Sequence, residues 1–487
     1  MNGSMSFWQT IGRIYESSVF VYGTVLLFIY AMLAVFSMIA VRAYARKDKL
    51  GQGNMLNSSP LAPGITVLAP AYNEGLTIIY NVRSLLTLNY PKYEIIIVND
   101  GSTDNSLEQL ITEFDLVQVD FAYNVKIKTQ PVRKIFKSTN PAYAQLMIID
   151  KVNGKSKADA VNAGINAASY NYFLCTDVDC ILDKNTLLEL IKPVMQEGKK
   201  RVIATGATLR IANSCEFDQG VMTRMRPPRQ LLPRFQEVEY IRAFVLGKMG
   251  WSLLNCVPNV SGGLGLFDKE VAIRSGGYDH SSFGEDMELM TRMCRYAHDN
   301  KINYAIRYIP KTLCWTEAPE SVKIFNRQRT RWARGLAQLM FSHFGMFLNP
   351  RYGKMGLIIF PYNFFFELLA PLVEITGIIY YIIMICLGQI NWPTAVMLLV
   401  FVYTYSVMIT TIAILWDQLT FRYYRTWKEV AYLCMTPFME FFLYHPLIVL
   451  FSLRGYYYFL TGKKSTWGNM QRRGFRQNVP GAKTAAV

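Results

Sequence analysis

Charge is scarce in this chain, and its cysteines carry no pattern. Only 18% of the 487 residues are charged. The eight cysteines include no CxxC pair and lie mostly mid-chain at irregular spacing. That excludes a small disulfide scaffold and reads as reduced thiols or small membrane residues. Cys175 and Cys180 flank an acidic segment, where packing is the ordinary role for both. There is no zinc-finger spacing, no basic-region zipper and no RNA-binding aromatic motif, so nucleic acid is not an expected partner. No charge interrupts Val19–Val41, and no small-residue cleavage site follows it. With its basic flank on the C-terminal side, that run reads as a membrane anchor and not as a cleaved leader.

What is present is apolar and clumped. Hydrophobic residues make up 51% of the chain and aromatics 14%, which excludes a disordered or collagen-like protein. Lys and Arg number 51 against 35 Asp and Glu, a net charge of +16. The basic residues gather beside apolar runs. Arg42, Arg46, Lys47 and Lys49 follow the first, and Arg454, Lys463, Lys464, Arg472, Arg473 and Arg476 follow the last. Cytoplasmic flanks of membrane helices look like this. The expected layout is an N-terminal segment (1–18), a transmembrane helix (19–41) and a basic linker (42–64). A cytosolic domain (65–354) follows, then transmembrane and interfacial helices (355–453) and a basic cytosolic tail (454–487). This places the chain in the cell (inner or plasma) membrane as a multi-pass protein, with the lipid bilayer as a partner.

Within the middle region, Ile65–Pro70, Glu94–Asn99, Leu146–Ile149 and Asn171–Thr176 are short β-type runs. Helical stretches Gly75–Leu88, Asp104–Phe114 and Ser156–Ala168 separate the main ones. Strands alternating with helices imply a mostly parallel sheet that binds ligands at its carboxyl edge. Phe235–Gly250 and Val322–Phe341 read as longer helices, lying either along a membrane surface or in the core of the domain. The late apolar runs are Met355–Leu387, Trp392–Trp416 and Val430–Leu453. The first would span about 50 Å as a helix, too long for one straight crossing. Pro361 and Pro371 are expected to break it into an interfacial piece and a crossing. Three late crossings would leave the basic tail outside, so one run is expected to be re-entrant or split. Glu367, Glu374, Glu440 and His445 lie in these runs, where ionisable groups face a protein interior or a wet cavity.

Four constellations can carry chemistry. The strand Glu94–Asn99 delivers Asp100 at its carboxyl end, with Gly101 for a tight exit and Asp104 placed to cap the next helix. Asp100 is then free to bind a ligand, or is one of two acids in a plain turn. The strand Asn171–Thr176 runs into Asp177, Val178 and Asp179, and alternation points both carboxylates to one side. Such a pair suits a hard divalent cation, and an acidic turn is the plainer alternative. Gly284, Glu285 and Asp286 open a helix; the acids either favour its positive end or supply a general base. Gln328, Arg331 and Trp332 share one helical face, which fits a polyhydroxylated or phosphorylated ligand as well as a basic surface anchored by tryptophan.

Taken in order, these segments resemble the processive family 2 glycosyltransferases, the group of cellulose, chitin, hyaluronan and poly-N-acetylglucosamine synthases. The resemblance rests on "VLAPAYNE", "IIIVNDGSTD", "GKSKADAVNAG", "CTDVDC", "SGGLGLF", "GEDMELMTR", "CWTEAPES" and "QRTRW", and covers roughly Ile65 to Gly335. It implies an α/β GT-A (Rossmann-like) domain inserted between an N-terminal transmembrane helix and a C-terminal helical membrane region. It implies that Asp100, with Tyr72 and Glu74, holds the uridine of a UDP-sugar, and that Lys157 serves the nucleotide. Asp177 and Asp179 would bind Mg²⁺ or Mn²⁺ through the diphosphate, and Asp286 would be the catalytic base with Glu285 at the substrate beside it. Gln328, Arg331 and Trp332 would sit by the diphosphate and acceptor, and Trp315 would help shape the acceptor site.

The implied reaction is a single inverting displacement that converts an α-linked donor into a β-linked product. UDP-N-acetylglucosamine or UDP-glucose is the expected donor, and a growing polysaccharide the expected acceptor, coupled to export and open to an accessory subunit. A single addition to a lipid or lipid-linked acceptor is the alternative. The late aromatics Phe364, Phe365, Phe366, Tyr380, Tyr381, Tyr403 and Tyr405 would then form an interfacial belt or line a sugar path. The insertion "MTRMRPPRQLLPRF" departs from shorter family members, and its arginines suit an anionic acceptor, lipid, a partner or plain solvent. The N-x-S/T matches at Asn57 and Asn259 fall in the expected cytosolic part and do not read as glycosylation.

Overall fold

In a computed structural model, residues 7–48, 59, 61–178, 180–218 and 221–463 are described. Asp179 and the tail beyond Lys463 lie outside them. Numbered in chain order, the strands of the main sheet begin with β1 (Ile65–Ala71), β2 (Tyr93–Asn99), β3 (Leu116–Gln118), β4 (Val132–Ser138) and β5 (Leu146–Lys151). They continue with β6 (Tyr172–Thr176), β7 (Ile181–Leu182) and β8 (Arg201–Ile211). A small hairpin, β9 (Glu216–Asp218) and β10 (Val221–Arg224), stands apart, and β11 (Leu264–Asp268) and β12 (Tyr304–Thr316) complete the sheet. Its spatial order is β3-β4-β5-β2-β1-β6-β11-β8-β12-β7.

The neighbours β5, β2, β1 and β6 run parallel. Their apolar runs are covered on both faces; Ile95, Ile96, Ile97 and Val98 are all fully buried. The sheet as a whole is mixed rather than mostly parallel. The antiparallel pairings are β3–β4 and β4–β5 at one edge, β12–β7 at the other, and those of β11, which slots antiparallel between β6 and β8 and carries the "LGLF" segment. Glycine depresses strand propensity, so this central strand does not announce itself locally. The helix Lys157–Ala167 crosses from β5 to β6. Ser156 caps it by accepting from the Asp159 N–H, and its alanine and glycine surface lets Gly164 lie against Leu68 and Val98.

Among the described residues, four helical segments are long and apolar enough to cross a membrane: Gly12–Arg46, Met355–Cys386, Trp392–Phe421 and Trp427–Leu460. The first belongs to a helix running Phe7–Asp48, beyond both ends of the uncharged run. Tyr15 donates to the Val373 carbonyl (3.1 Å) and Tyr405 to that of Leu26 (3.3 Å), tying this helix to two late ones. Met355–Cys386 keeps a helical path but widens into π turns at Met355–Ile359 and Asn363–Leu368, on either side of Pro361. It bends at Leu369, just before Pro371, as expected where proline withholds its N–H.

The last segment is built of pieces, Trp427–Cys434, Thr436–Met439, Glu440–Tyr444 and His445–Leu460. A capping box between Thr426 and Glu429 starts it. Near its start, Tyr432 donates to the Arg229 carbonyl (3.3 Å) and Glu429 pairs with Arg224 (3.4 Å). At its far end, Arg334 donates to the Lys463 carbonyl (2.8 Å). Both ends therefore touch the sheet domain and its attached helices.

Candidate active site

Register aligns Ala71, Asn99 and Asp150 across three parallel strands, so the loops that follow leave the sheet along one edge. Gly101 exits β2 at φ +67°, and a Cβ there would meet the Asn153 nitrogen at 2.9 Å. This lets Asp100 turn inward. Lys151, wholly buried, donates to Asp100 Oδ1 at 2.6 Å, and the Gly154 N–H adds a second bond to the same oxygen at 3.0 Å. Asp159 takes the other side of the Lys151 ammonium at 2.5 Å. Asn105, not Asp104, stands at the N-cap of the next helix, Ser106–Glu113; Asp104 instead accepts from the N–H groups of both Gly75 and Ser106, locking the Tyr72–Glu74 loop to the Asp100 loop. Asn73 strengthens that link by accepting from the Thr103 N–H at 2.8 Å.

Asp177 leaves β6 with its side chain 36% exposed. Lys157 forms an ion pair with it and also donates to the Gly262 carbonyl at 2.7 Å. Burial alone would lower the Lys157 ammonium, but the adjoining Asp177 carboxylate raises it above the usual lysine value. Asp177 is a hard oxygen donor at a cavity wall. No cluster of three His, Cys, Asp or Glu side chains able to hold a metal occurs among the described residues. A cation at Asp177 would accordingly complete its shell with ligand oxygens and water, which is how hard divalent ions sit on phosphates. The donor chemistry fits such an ion; Asp179, the expected second ligand, lies outside the described residues.

Asp286 stands in the first turn of the helix Glu285–Asp299. The Asn259 amide donates to its Oδ2 at 3.4 Å. Burial raises the neighbouring Glu285 carboxyl, opposed by Arg331 at 3.7 Å. The helix Val322–Ser342 carries Gln328, Arg331 and Trp332. It closes on the Asp286 helix through glycine: a Cβ on Gly335 would stand 2.7 Å from the Gly284 nitrogen. Arg331 also donates to the Phe283 carbonyl at 3.3 Å.

One cavity of about 3880 Å³ collects these groups. Tyr72, Glu74, Asp100, Lys157, Asp177, Glu285, Asp286, Gln328, Arg331 and Trp332 all line it. Trp315 does not: it is 2% exposed on β12, with its indole N–H unpartnered, and only its neighbour Thr316 reaches the wall. The cavity continues between the apolar helices, past Tyr30, Tyr362, Phe366, Glu367, Glu374 and His445. Of the seven late aromatics, only Phe366 lines it. Glu440 turns instead to Arg242, at 2.8 Å.

Three wall or support residues carry no motif signal. Lys151 is legible only as the partner of Asp100. Asn259 shows in sequence only as a glycosylation-type match, yet its amide faces Asp286. Lys248 lines the cavity and donates to the Val260 carbonyl at 3.0 Å, under the rings of Phe244 and Tyr308. Burial pulls its ammonium down to about 7, although Asp286 opposes this.

Comparison with known proteins follows the same residues. The family described as Glycosyltransferase like family 2 matches residues 63–335. A poly-beta-1,6-N-acetyl-D-glucosamine synthase of Staphylococcus epidermidis is 27% identical over 297 residues, 61% of this chain and 60% of that protein. The Staphylococcus aureus (strain COL) synthase of the same name aligns with the same identity and coverage. The chain thus spans about three fifths of the length of these curated relatives. Among solved structures, a mannosyltransferase of Pyrobaculum calidifontis in complex with GDP-Man and Mn²⁺ is similar at a TM-score of 0.48 and 16% identity, covering 90% of this chain and all of that one. With a match over more than half of its length, and a mixed α/β sheet of the expected GT-A kind, the chain belongs to glycosyltransferase family 2.

Proposed function

We propose that the protein is a membrane-embedded inverting glycosyltransferase that extends a polysaccharide from a UDP-sugar. The observation that carries this is the single cavity: it joins the acids at the sheet edge to a passage between apolar helices. The relatives named as poly-N-acetylglucosamine synthases favour UDP-N-acetylglucosamine over UDP-glucose. Asp100, held by Lys151, and the Tyr72–Glu74 loop bind the nucleoside. Asp286 takes the proton from the acceptor hydroxyl as its oxygen attacks the anomeric carbon. Lys157 and Arg331 face the negative charge that develops on the departing diphosphate. A Mg²⁺ or Mn²⁺ ion on Asp177 and Asp179 supplies charge neutralisation there when bound. The product is β-linked, because attack comes from the face opposite the leaving group.

The last helical segment has both ends on the catalytic domain, which supports three crossings rather than four. The N-terminus then lies outside, and the catalytic domain and basic tail in the cytosol, where UDP-sugars are made. An accessory export subunit is compatible with this layout. The test is UDP release by the full chain in nanodiscs with Mn²⁺, screened across UDP-sugars, with sizing of products. Release with one donor and a ladder of long products supports the polymerase. Short lipid-linked products would move the assignment to single addition.

A further inference from the structure

The arginine-rich insertion packs onto the protein. Pro227 and Pro228 are buried, and the Arg229 N–H donates to Ser214 Oγ at 3.2 Å. Two of its arginines are matched by acids: Arg224 pairs with Glu429 at 3.4 Å, and Arg226 pairs with Glu216. Arg229 borders the catalytic cavity. Arg234 does neither. It is only 8% exposed, and its Nε and Nη1 are sealed without a hydrogen-bond partner. Among the described residues no carboxylate pairs with it. Its guanidinium instead lies over the Tyr432 ring, 3.9 Å from the centroid. A ring face returns only part of what burying an unmatched charge costs. The two sealed nitrogens leave Nη2 as the donor open to a ligand.

Tyr432 stands on the helix Trp427–Cys434, which begins the last apolar segment. Lys428 lies one turn before it, on the same helical face, and is exposed. Trp427 (78% exposed), Met435 and Phe438 are large apolar side chains standing exposed on the same segment. A tryptophan and a tyrosine beside cations, at the head of an apolar helix, mark the level of lipid headgroups.

We infer that Arg234 and Lys428 form a binding site for the phosphate of an anionic phospholipid, at the bilayer surface where the insertion meets the last apolar segment. The site is separate from the catalytic cavity, whose wall includes neither residue. The phosphate accepts from Arg234 Nη2, a charge-assisted hydrogen bond, and is faced by the Lys428 ammonium. The acyl chains lie along the exposed Met435 and Phe438. A choline headgroup fits less well, because its trimethylammonium adds a third cation to two already unmatched. The lipid thus supplies the counter-charge that the insertion lacks at Arg234.

The experiment holds the full chain in nanodiscs of phosphatidylcholine alone or with phosphatidylglycerol added. It compares the wild type, Arg234→Met and Arg42→Met, the last a charge-matched control at an exposed position of the first helix. Thermal midpoint is read in both lipids, and retained phosphatidylglycerol is counted by native mass spectrometry. Phosphatidylglycerol is expected to raise the midpoints of the wild type and Arg42→Met alike, and that of Arg234→Met clearly less. Arg234→Met should bind the lipid about tenfold more weakly, the order expected for one charge-assisted contact. In phosphatidylcholine alone, Arg234→Met should be at least as stable as the wild type, because it removes an unmatched buried charge. An equal lipid response in Arg234→Met and Arg42→Met overturns the proposal. So does a loss of midpoint in Arg234→Met that is the same in both lipids, which would make Arg234 a brace for Tyr432 alone. Inorganic phosphate that reproduces the shift in phosphatidylcholine nanodiscs overturns the lipid assignment in favour of a small anion. Should Arg234→Met fail to elute as a monodisperse species, Lys428→Ala carries the same comparison against Arg42→Met.

Discussion

Lys157 is ion-paired with Asp177 at the cavity wall while the Gly262 carbonyl holds the same ammonium from behind. On the proposed function, a diphosphate arriving here would meet a lysine already charged and aimed, and a carboxylate whose charge is already matched. Binding therefore rearranges existing pairs instead of burying new bare charges, which would be costly. Lys157→Met is expected to raise the donor KM by roughly tenfold, the loss of about 1.4 kcal/mol of charge-assisted binding. Steady-state kinetics with varied UDP-sugar measures it, and an unchanged KM removes Lys157 from the donor site.

Asp177 is expected to be needed for cation-dependent ligand stabilisation. With Mn²⁺ and UDP at about 100 times their dissociation constant, wild-type protein should gain about 2.7 kcal/mol, seen as a rise in thermal midpoint. Asp177→Asn should show little of that rise relative to its own ligand-free midpoint. A variant that still responds fully would place the cation elsewhere.

Asp286→Asn keeps the shape of the site and removes the proposed proton acceptor. Turnover should fall about 10²–10⁴-fold, the usual contribution of a general base. UDP binding, read by fluorescence or calorimetry, should stay near the wild-type value. Full activity in the variant rules out the assignment.

Lys151 neutralises Asp100 and Asp159 in a buried setting. Lys151→Met leaves two carboxylates facing each other without a cation. We expect a loss of about 3–5 kcal/mol, the range for breaking a buried pair by deleting one partner. Thermal unfolding followed by intrinsic fluorescence checks it, and a shift of less than a degree would mean the acids find other partners.

Arg210 on β8 is wholly buried, donating to Glu237 at 2.9 Å and pairing with Asp417 in the helix Trp392–Phe421. Tyr424 donates to the same Glu237 at 2.7 Å. This network bolts the sheet domain to an apolar helix. Arg210→Met should destabilise by about 3–5 kcal/mol. Limited proteolysis should then cut between the sheet domain and the late helices sooner than in wild type; equal cleavage rates would deny the network that role.

Much of the site is legible locally. The strand carrying Asp100 begins one residue before its expected start and ends where expected, and the helix behind Asp286 begins where glycine and two acids mark it. These elements follow from short-range patterning: buried β-branched runs, caps and helical faces repeat within ten residues. The antiparallel entry of β11 is different. Its partners β6 and β8 lie roughly 60 to 90 residues earlier in the chain, and glycine hides its strand character.

What the sequence by itself determined is the order of the chemistry. The acids, the lysine of the glycine-containing turn and the Gln328–Trp332 face are each set by the strand or helix that bears them. What only the tertiary structure decided is who stands next to whom. Lys151 behind Asp100, Asn259 beside Asp286, Trp315 sealed away from the cavity, and the last helical segment returning to the domain are all long-range placements. Buried polar groups and charges must find partners wherever the packed chain offers them. No local pattern records which distant residue will be there.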